Sequence, residues 1–197
     1  MFHSHKDHVI FERREVLTQA GHPFGVFTPY KNAWLRKLEP FYLKAYPVGK
    51  YAAALAPLPP ALDAPLPRLS DIDFETTNLS ALPIPTGARG AQTLVGDFAD
   101  RIERYDSTRD FPAIKGPSYL SVHLRFGTVS IRQLASLSFQ MHLQDIKGAS
   151  TWLSELIWRD FYHQILHHHP RRAQSPRPER YRQPDWPRPQ HQHPVAC

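Results

Sequence analysis

Glu155, Trp158 and Arg159 lie within little more than one helical turn of each other, in the stretch STWLSELIWRDFYHQILHHHP at residues 150–170. A carboxylate, an indole and a guanidinium at this spacing could bind a polar ring system, stack on it, and pair with charge. At about 100° per residue they share a helix face with Tyr162 and Leu166, while Leu153, Ile157 and Phe161 cover the opposite side. Such a helix is apolar nearly all round and is expected to be buried. A buried charge must then pair, either Glu155 with Arg159 at i,i+4 or each with a polar ligand.

A second constellation lies upstream, in RDFPAIKGPSYLSVHLRFGTVSIRQLASL from Arg109 to Leu137. Ser121 reads as an N-cap of a short helix ending at Arg125, Gly127 as its C′ residue, and Ser130 with Gln133 as a capping box for the next helix. Ser118 and Ser121 bracket a helix N-terminus, where free N–H groups favour an anion such as phosphate. Two ordinary caps without a ligand are the plainer alternative. Leu94, Phe98, Arg101, Ile102 and Tyr105 fall on one helical arc, which puts Tyr105 on an inward face.

These groups need elements to position them. Val9–Phe11 and Phe24–Phe27 are short apolar runs around Gly21-His22-Pro23 and suit strands. Thr28 and Pro29 suit an N-cap and first helical position, followed by Trp34, Leu35, Leu38, Phe41 and Tyr42 at 3/4 spacing. Two strands and one helix cannot bury themselves, so this region reads as the end of an α/β domain. Eight of the 20 prolines lie between Pro47 and Pro85, marking an extended connector over 47–89. A helical region follows over 90–170, with the last helix capped by Ser150 or Thr151 and closed by Pro170. Residues 171–197, rich in Arg, Pro and His, have no apolar period and are expected to be disordered.

Composition narrows the function classes. The formal charge is +6, but residues 171–197 hold a net +4 of it, so overall basicity is weak evidence for nucleic acid. The single cysteine, Cys197, excludes an intramolecular disulfide framework and a multi-cysteine metal site, and fits a reducing cytoplasm. No apolar run has membrane-spanning length and no signal peptide is evident, so a membrane partner is not expected. A metal site built from His3, His5 and His8, or from His167 to His169, lacks acidic or cysteine partners at suitable spacing, and no metal is expected.

Four blocks resemble one family: VFTPYKNAWL, RDFPAIKG, SYLSVHLRFGTVSIRQL and WLSELIWRDFYHQILHHHP. They are similar to the DNA photolyases and cryptochromes, most of all to the bacterial cyclobutane-pyrimidine-dimer photolyases, over about residues 7–170. The resemblance implies an α+β chain that is mainly α. Residues 1–46 would end an α/β, Rossmann-like antenna domain, and 90–170 would form the first part of an all-α FAD-binding domain. It implies FAD as cofactor, contacted by Tyr105, Ser118, Leu120, Ser121, Trp152 and Arg159. Glu155 and Trp158 would face the lesion as the catalytic pair and, with Arg109, bind DNA containing pyrimidine dimers. A family antenna chromophore, folate or deazaflavin, would need more of the antenna domain. The chain is expected to act as a monomer.

The departures are specific. Pro117 replaces a threonine of the family's phosphate-holding segment, removing a hydroxyl and an N–H donor. The later half of the flavin domain has no counterpart, and beyond Pro170 the family's helical pattern gives way, so a fragment with an incomplete active site is expected. A cryptochrome-type photoreceptor and a non-catalytic nucleic-acid-binding remnant are the alternatives. Glu155 and Trp158 favour repair over the first.

Overall fold

The computed structural model describes residues 3, 5–46, 48–75, 77–78 and 85–170. Six α-helices occur among them: α1 (Phe27–Lys37), α2 (Gly87–Ala99), α3 (Tyr105–Thr108), α4 (Ser121–Arg125), α5 (Ile131–His142) and α6 (Lys147–His168). The 22-residue α6 is the organising element, with α5, α3, α1 and the 3₁₀ turn Ile102–Arg104 packed against it. Its Trp152, Leu153, Leu156, Ile157 and Phe161 enter a core shared with Trp34, Phe98, Ile102, Leu134 and Leu120.

No strand occurs among the described residues, so the expected α+β composition is corrected to a mainly helical one. The reason lies in where the backbone donors go. The N–H groups of Ile10 and Phe11, which a ladder would use, donate to the buried carboxylate of Asp160 at 3.1 and 3.2 Å. Trp34 Nε1 donates to the same Oδ2 at 3.0 Å, and Gln164 Nε2 donates to the Phe11 carbonyl at 3.1 Å. The apolar run at 9–11 is thus strapped to α6 by side chains. The second run forms no strand either: Phe24 to Val26 are irregular and Phe27 opens α1. Val26 is the N-cap, and Thr28 and Pro29 fall inside the first turn, where a missing N–H is tolerated.

Other boundaries shift for similar reasons. The arc from Leu94 to Tyr105 is broken, because α2 stops at Ala99 and a 3₁₀ turn carries Ile102 before α3 begins at Tyr105. Phe98, Ile102 and Tyr105 are nevertheless all buried. Helix α6 begins at Lys147, not at Ser150 or Thr151; Ser150 Oγ instead donates to the Ile146 carbonyl at 3.0 Å from within the helix. That early start needs Gly148, because a Cβ there would overlap the carbonyl oxygens of Ile102 and Glu103. Ser130 caps α5 as expected, accepting from Arg132 N at 3.2 Å, and Gly127 takes φ 66° after α4. Gln133 does not close a capping box with it; its amide exchanges hydrogen bonds with Gln92 of α2.

The described part of the connector holds short 3₁₀ turns, and its Leu55, Leu58, Leu62, Leu66 and Leu69 side chains are exposed. The tail from 171 to 197 lies outside the described residues.

Candidate functional site

Helix α6 is buried on one side only. Leu153, Ile157 and Phe161 lie in the core, whereas Glu155, Trp158 and Arg159 are half-buried and Tyr162 and Leu166 are exposed. The expected all-round burial is therefore corrected: the stripe carrying the candidate chemistry faces outward.

Glu155 does not pair with Arg159. Its Oε1 accepts from Nη1 of Arg109 at 2.6 Å, across from the residue that ends α3. The Arg109 guanidinium lies 5.4 Å from the Tyr105 ring centroid, and its Nε is 3.5 Å from Asp110. The hydrogen bond to Glu155 raises the Arg109 pKa, and burial raises that of the Tyr105 phenol. Tyr105, Arg109 and Glu155 thus form one cation-centred group, although they are separated by up to 50 residues in the chain. Gly116 supports it: a Cβ there would run into the backbone of Thr108 and Arg109.

Trp158 stacks face to face with Phe27, centroids 3.6 Å apart at 7°, and lies 5.4 Å from Tyr162 at 24°. An incoming planar ring would compete with these neighbours for the indole faces. Phe27 is not among the candidate site residues the sequence offers, although it ends an apolar run and lies in the VFTPYKNAWL block.

Arg159 turns the other way, to the N-terminal segment. It donates to the His8 carbonyl, contacts His8 Nδ1 at 3.2 Å and reaches the Leu124 carbonyl at 3.5 Å. With His8, Ser121, Arg125 and His163 it lines a cavity of about 220 Å³. Burial lowers the Arg159 pKa, and burial with the neighbouring Arg159 and His8 lowers that of His163. Two guanidiniums, two imidazoles and a hydroxyl form a donor set suited to a phosphate or pyrophosphate. A second cavity of about 530 Å³, lined by Leu94, Asp97, Lys115, Tyr119, Ser121, Val122 and His123 among others, also reaches Ser121.

The loop before α4 is tightly turned. Leu120, not Ser121, is the N-cap, and its N–H points to Ser118 Oγ at 3.4 Å. Tyr119 makes this turn with φ 58°, a left-handed conformation costly for a bulky residue. Helix α4 has only five residues, so anion attraction there rests on the side chains more than on a macrodipole. Trp152 and Leu120 are core residues; the Trp152 ring packs on Phe98 at 4.7 Å.

Sequence reasoning missed Asp160. The available signal was a carboxylate on the Ile157 and Phe161 side of an apolar helix, which must find donors. Among the described residues no three His, Cys, Asp or Glu side chains are placed to hold a metal ion, and no helix is long and apolar enough to cross a membrane.

No family model matches the chain. Individual proteins do. The chain is 35% identical over 173 residues to a deoxyribodipyrimidine photo-lyase of Vibrio cholerae, covering 86% of this chain and 36% of that protein. It is 34% identical over 169 residues to the deoxyribodipyrimidine photo-lyase of Escherichia coli K12, covering 83% and 34%. The chain superposes on the crystal structure of a bacterial class III photolyase from Agrobacterium tumefaciens with a TM-score of 0.66 at 25% identity, covering 83% of this chain and 34% of that one. The chain spans about a third of the length of the curated relatives it matches. Agreement in sequence across most of the chain, together with agreement in the overall helical framework, places it in the photolyase family.

Proposed function

We propose that this chain carries part of a flavoprotein that repairs cyclobutane pyrimidine dimers in DNA with light. The observation behind this is the ion pair between Arg109 and Glu155, one turn from Trp158 on the outward stripe of α6. It brings a phosphate-binding cation, a hydrogen-bonding carboxylate and a stacking indole to one surface. A dimer flipped out of the duplex needs that combination: backbone contact, polar recognition of the base edges and an aromatic face. Glu155 and Arg109 would grip the polar edge, and Trp158 would exchange a stacking partner for the lesion.

FAD would supply the light-driven electron. The residues suited to holding it are Ser121, Arg125, Arg159, His8 and His163 around the phosphate-sized cavity, with Ser118 and Leu120 shaping the loop. Tyr105 and Trp152 would support the flavin side from within the core. We further propose that residues 1–46 correspond to the end of an α/β antenna domain, 47–89 to a connector lying over it, and 90–170 to the first part of the flavin domain. The exposed connector leucines support that layout. A monomer fits this reading, and an antenna chromophore would be bound outside these residues.

The test is titration of the 197-residue chain with FAD, followed by flavin fluorescence and near-UV circular dichroism. Saturable binding is expected, weakened about tenfold or more by Ser121→Ala and by Arg159→Ala, since each removes a hydrogen bond to charged phosphate. Glu155→Gln and Trp158→Ala should leave flavin loading intact and reduce the preference for dimer-containing over undamaged oligonucleotide. Flavin binding without lesion preference would favour a photoreceptor; no flavin binding would remove this chain from flavin chemistry.

A further inference from the structure

We infer that Arg101 is a positioning residue that fixes the loop at 115–121, on which the proposed flavin phosphate site depends. The inference rests on the flavin reading of that loop and adds a residue that reading did not contain. Arg101 sits after the end of α2, and its guanidinium spans three consecutive carbonyls. Nη1 donates to Lys115 O at 2.6 Å and Gly116 O at 2.8 Å, and Nη2 donates to Pro117 O at 2.8 Å. The fork is itself anchored: Nε and Nη2 donate to Oδ2 of Asp97 at 3.2 and 3.0 Å, while Oδ1 accepts from Lys115 Nζ at 2.6 Å.

The guanidinium also lies 5.1 Å from the Phe98 ring centroid and 5.9 Å from that of Tyr119. Tyr119 is the residue with the left-handed backbone that turns the chain into Ser121. The clamp therefore holds the loop before and within the turn: three carbonyls ahead of it and the aromatic ring inside it. Three successive carbonyls in one direction are unusual in a loop, because nothing in the backbone pairs with them. A planar five-donor group satisfies them together, and lysine, with one compact ammonium, cannot. Pro117 fits this arrangement, since its carbonyl is used and its missing N–H is not required. Where the family has threonine, this chain has lost a donor at residue 117 and relies on rigid placement of Ser118 and Ser121.

Arg101→Lys is the test, read by amide hydrogen exchange of the flavin-free chain and by FAD titration. It keeps the charge and the partnership with Asp97 but loses the fork. Exchange at residues 118–121 is expected to accelerate about tenfold or more with α5 and α6 amides unchanged, and FAD affinity to fall about tenfold. Unchanged loop exchange would overturn the positioning role. So would acceleration spread evenly through α5 and α6, which would make Arg101 a general stabiliser. Local acceleration with unaltered FAD affinity would show a clamped loop that does not hold flavin, which keeps the clamp and overturns the flavin reading of the loop. Asp97→Asn, which leaves the guanidinium but weakens both its anchor and the Lys115 ion pair, gives the same comparison if the lysine variant does not fold.

Discussion

Asp160→Ala is expected to destabilise the chain by about 3–5 kcal/mol, a large part of the stability of an ordinary domain. The carboxylate is completely buried and its Oδ2 is the acceptor for Ile10 N, Phe11 N and Trp34 Nε1. Alanine leaves all three donors without a partner in the interior, each at about 1–3 kcal/mol. Urea unfolding followed by near-UV circular dichroism measures the loss, and amide exchange at Ile10 and Phe11 localises it. A change below about 1 kcal/mol would mean that water replaces the carboxylate and that the strap is not held as described.

The oxygens of Asp160 are unequal, and this separates charge from hydrogen bonding. Oδ1 has only a 3.4 Å approach from Ile10 N, so a proton there leaves Oδ2 with all three donors. Burial raises the pKa from 3.8 to about 6, against the pull of Trp34, Phe11, Ile10 and Arg159. The sign follows: the folded state binds the proton more tightly than the unfolded state. This contribution is complete below pH 3.8 and is lost as pH rises through about 6. Asp160→Asn keeps an acceptor oxygen, so it should cost far less than alanine and flatten the pH dependence of stability between these limits. A measured Asp160 midpoint at or below the ordinary carboxylate value would reverse that assignment.

The legible part of this molecule was local and periodic. The core side of α6, the stop after Arg125 with Gly127, and the cap at Ser130 all follow from residue type and spacing. What escaped were partners far apart in sequence. Glu155 had an obvious candidate four residues away, yet it pairs with Arg109, because α3 and α6 meet only in the folded chain. Arg159 is left to His8 for the same reason. The apolar run at Val9–Phe11 looked like a strand because periodicity reports burial and not who satisfies the backbone. Here Asp160 and Gln164 do so, and no ladder forms. Family resemblance correctly named the framework, since it compares whole blocks, while the placement of Ser121 with Arg159 and of Trp158 on Phe27 required coordinates.

Two glycines inside helices are expected to respond in opposite directions to the same substitution. Gly148→Ala should destabilise by about 1–3 kcal/mol, the usual cost of forcing atoms into packed space. Its Cβ would overlap the carbonyls of Ile102 and Glu103, which are backbone and cannot swing aside as a flexible side chain can. Gly96, within α2, has nothing within 4 Å of an added Cβ. Gly96→Ala should stabilise by about 0.5–1 kcal/mol, because alanine restricts the unfolded chain and suits the helix. The Gly148 effect should also reach the candidate site, because the 3₁₀ turn pushed off α6 is the one that leads into Tyr105 and Arg109. Paired urea curves give both signs, and weakened Arg109 to Glu155 coupling in a double-mutant cycle on the Gly148→Ala background gives the transmission. Equal and small effects at both glycines would mean that α6 and the turn have room for a methyl group between them, and Gly148 would then have no part in aligning the site.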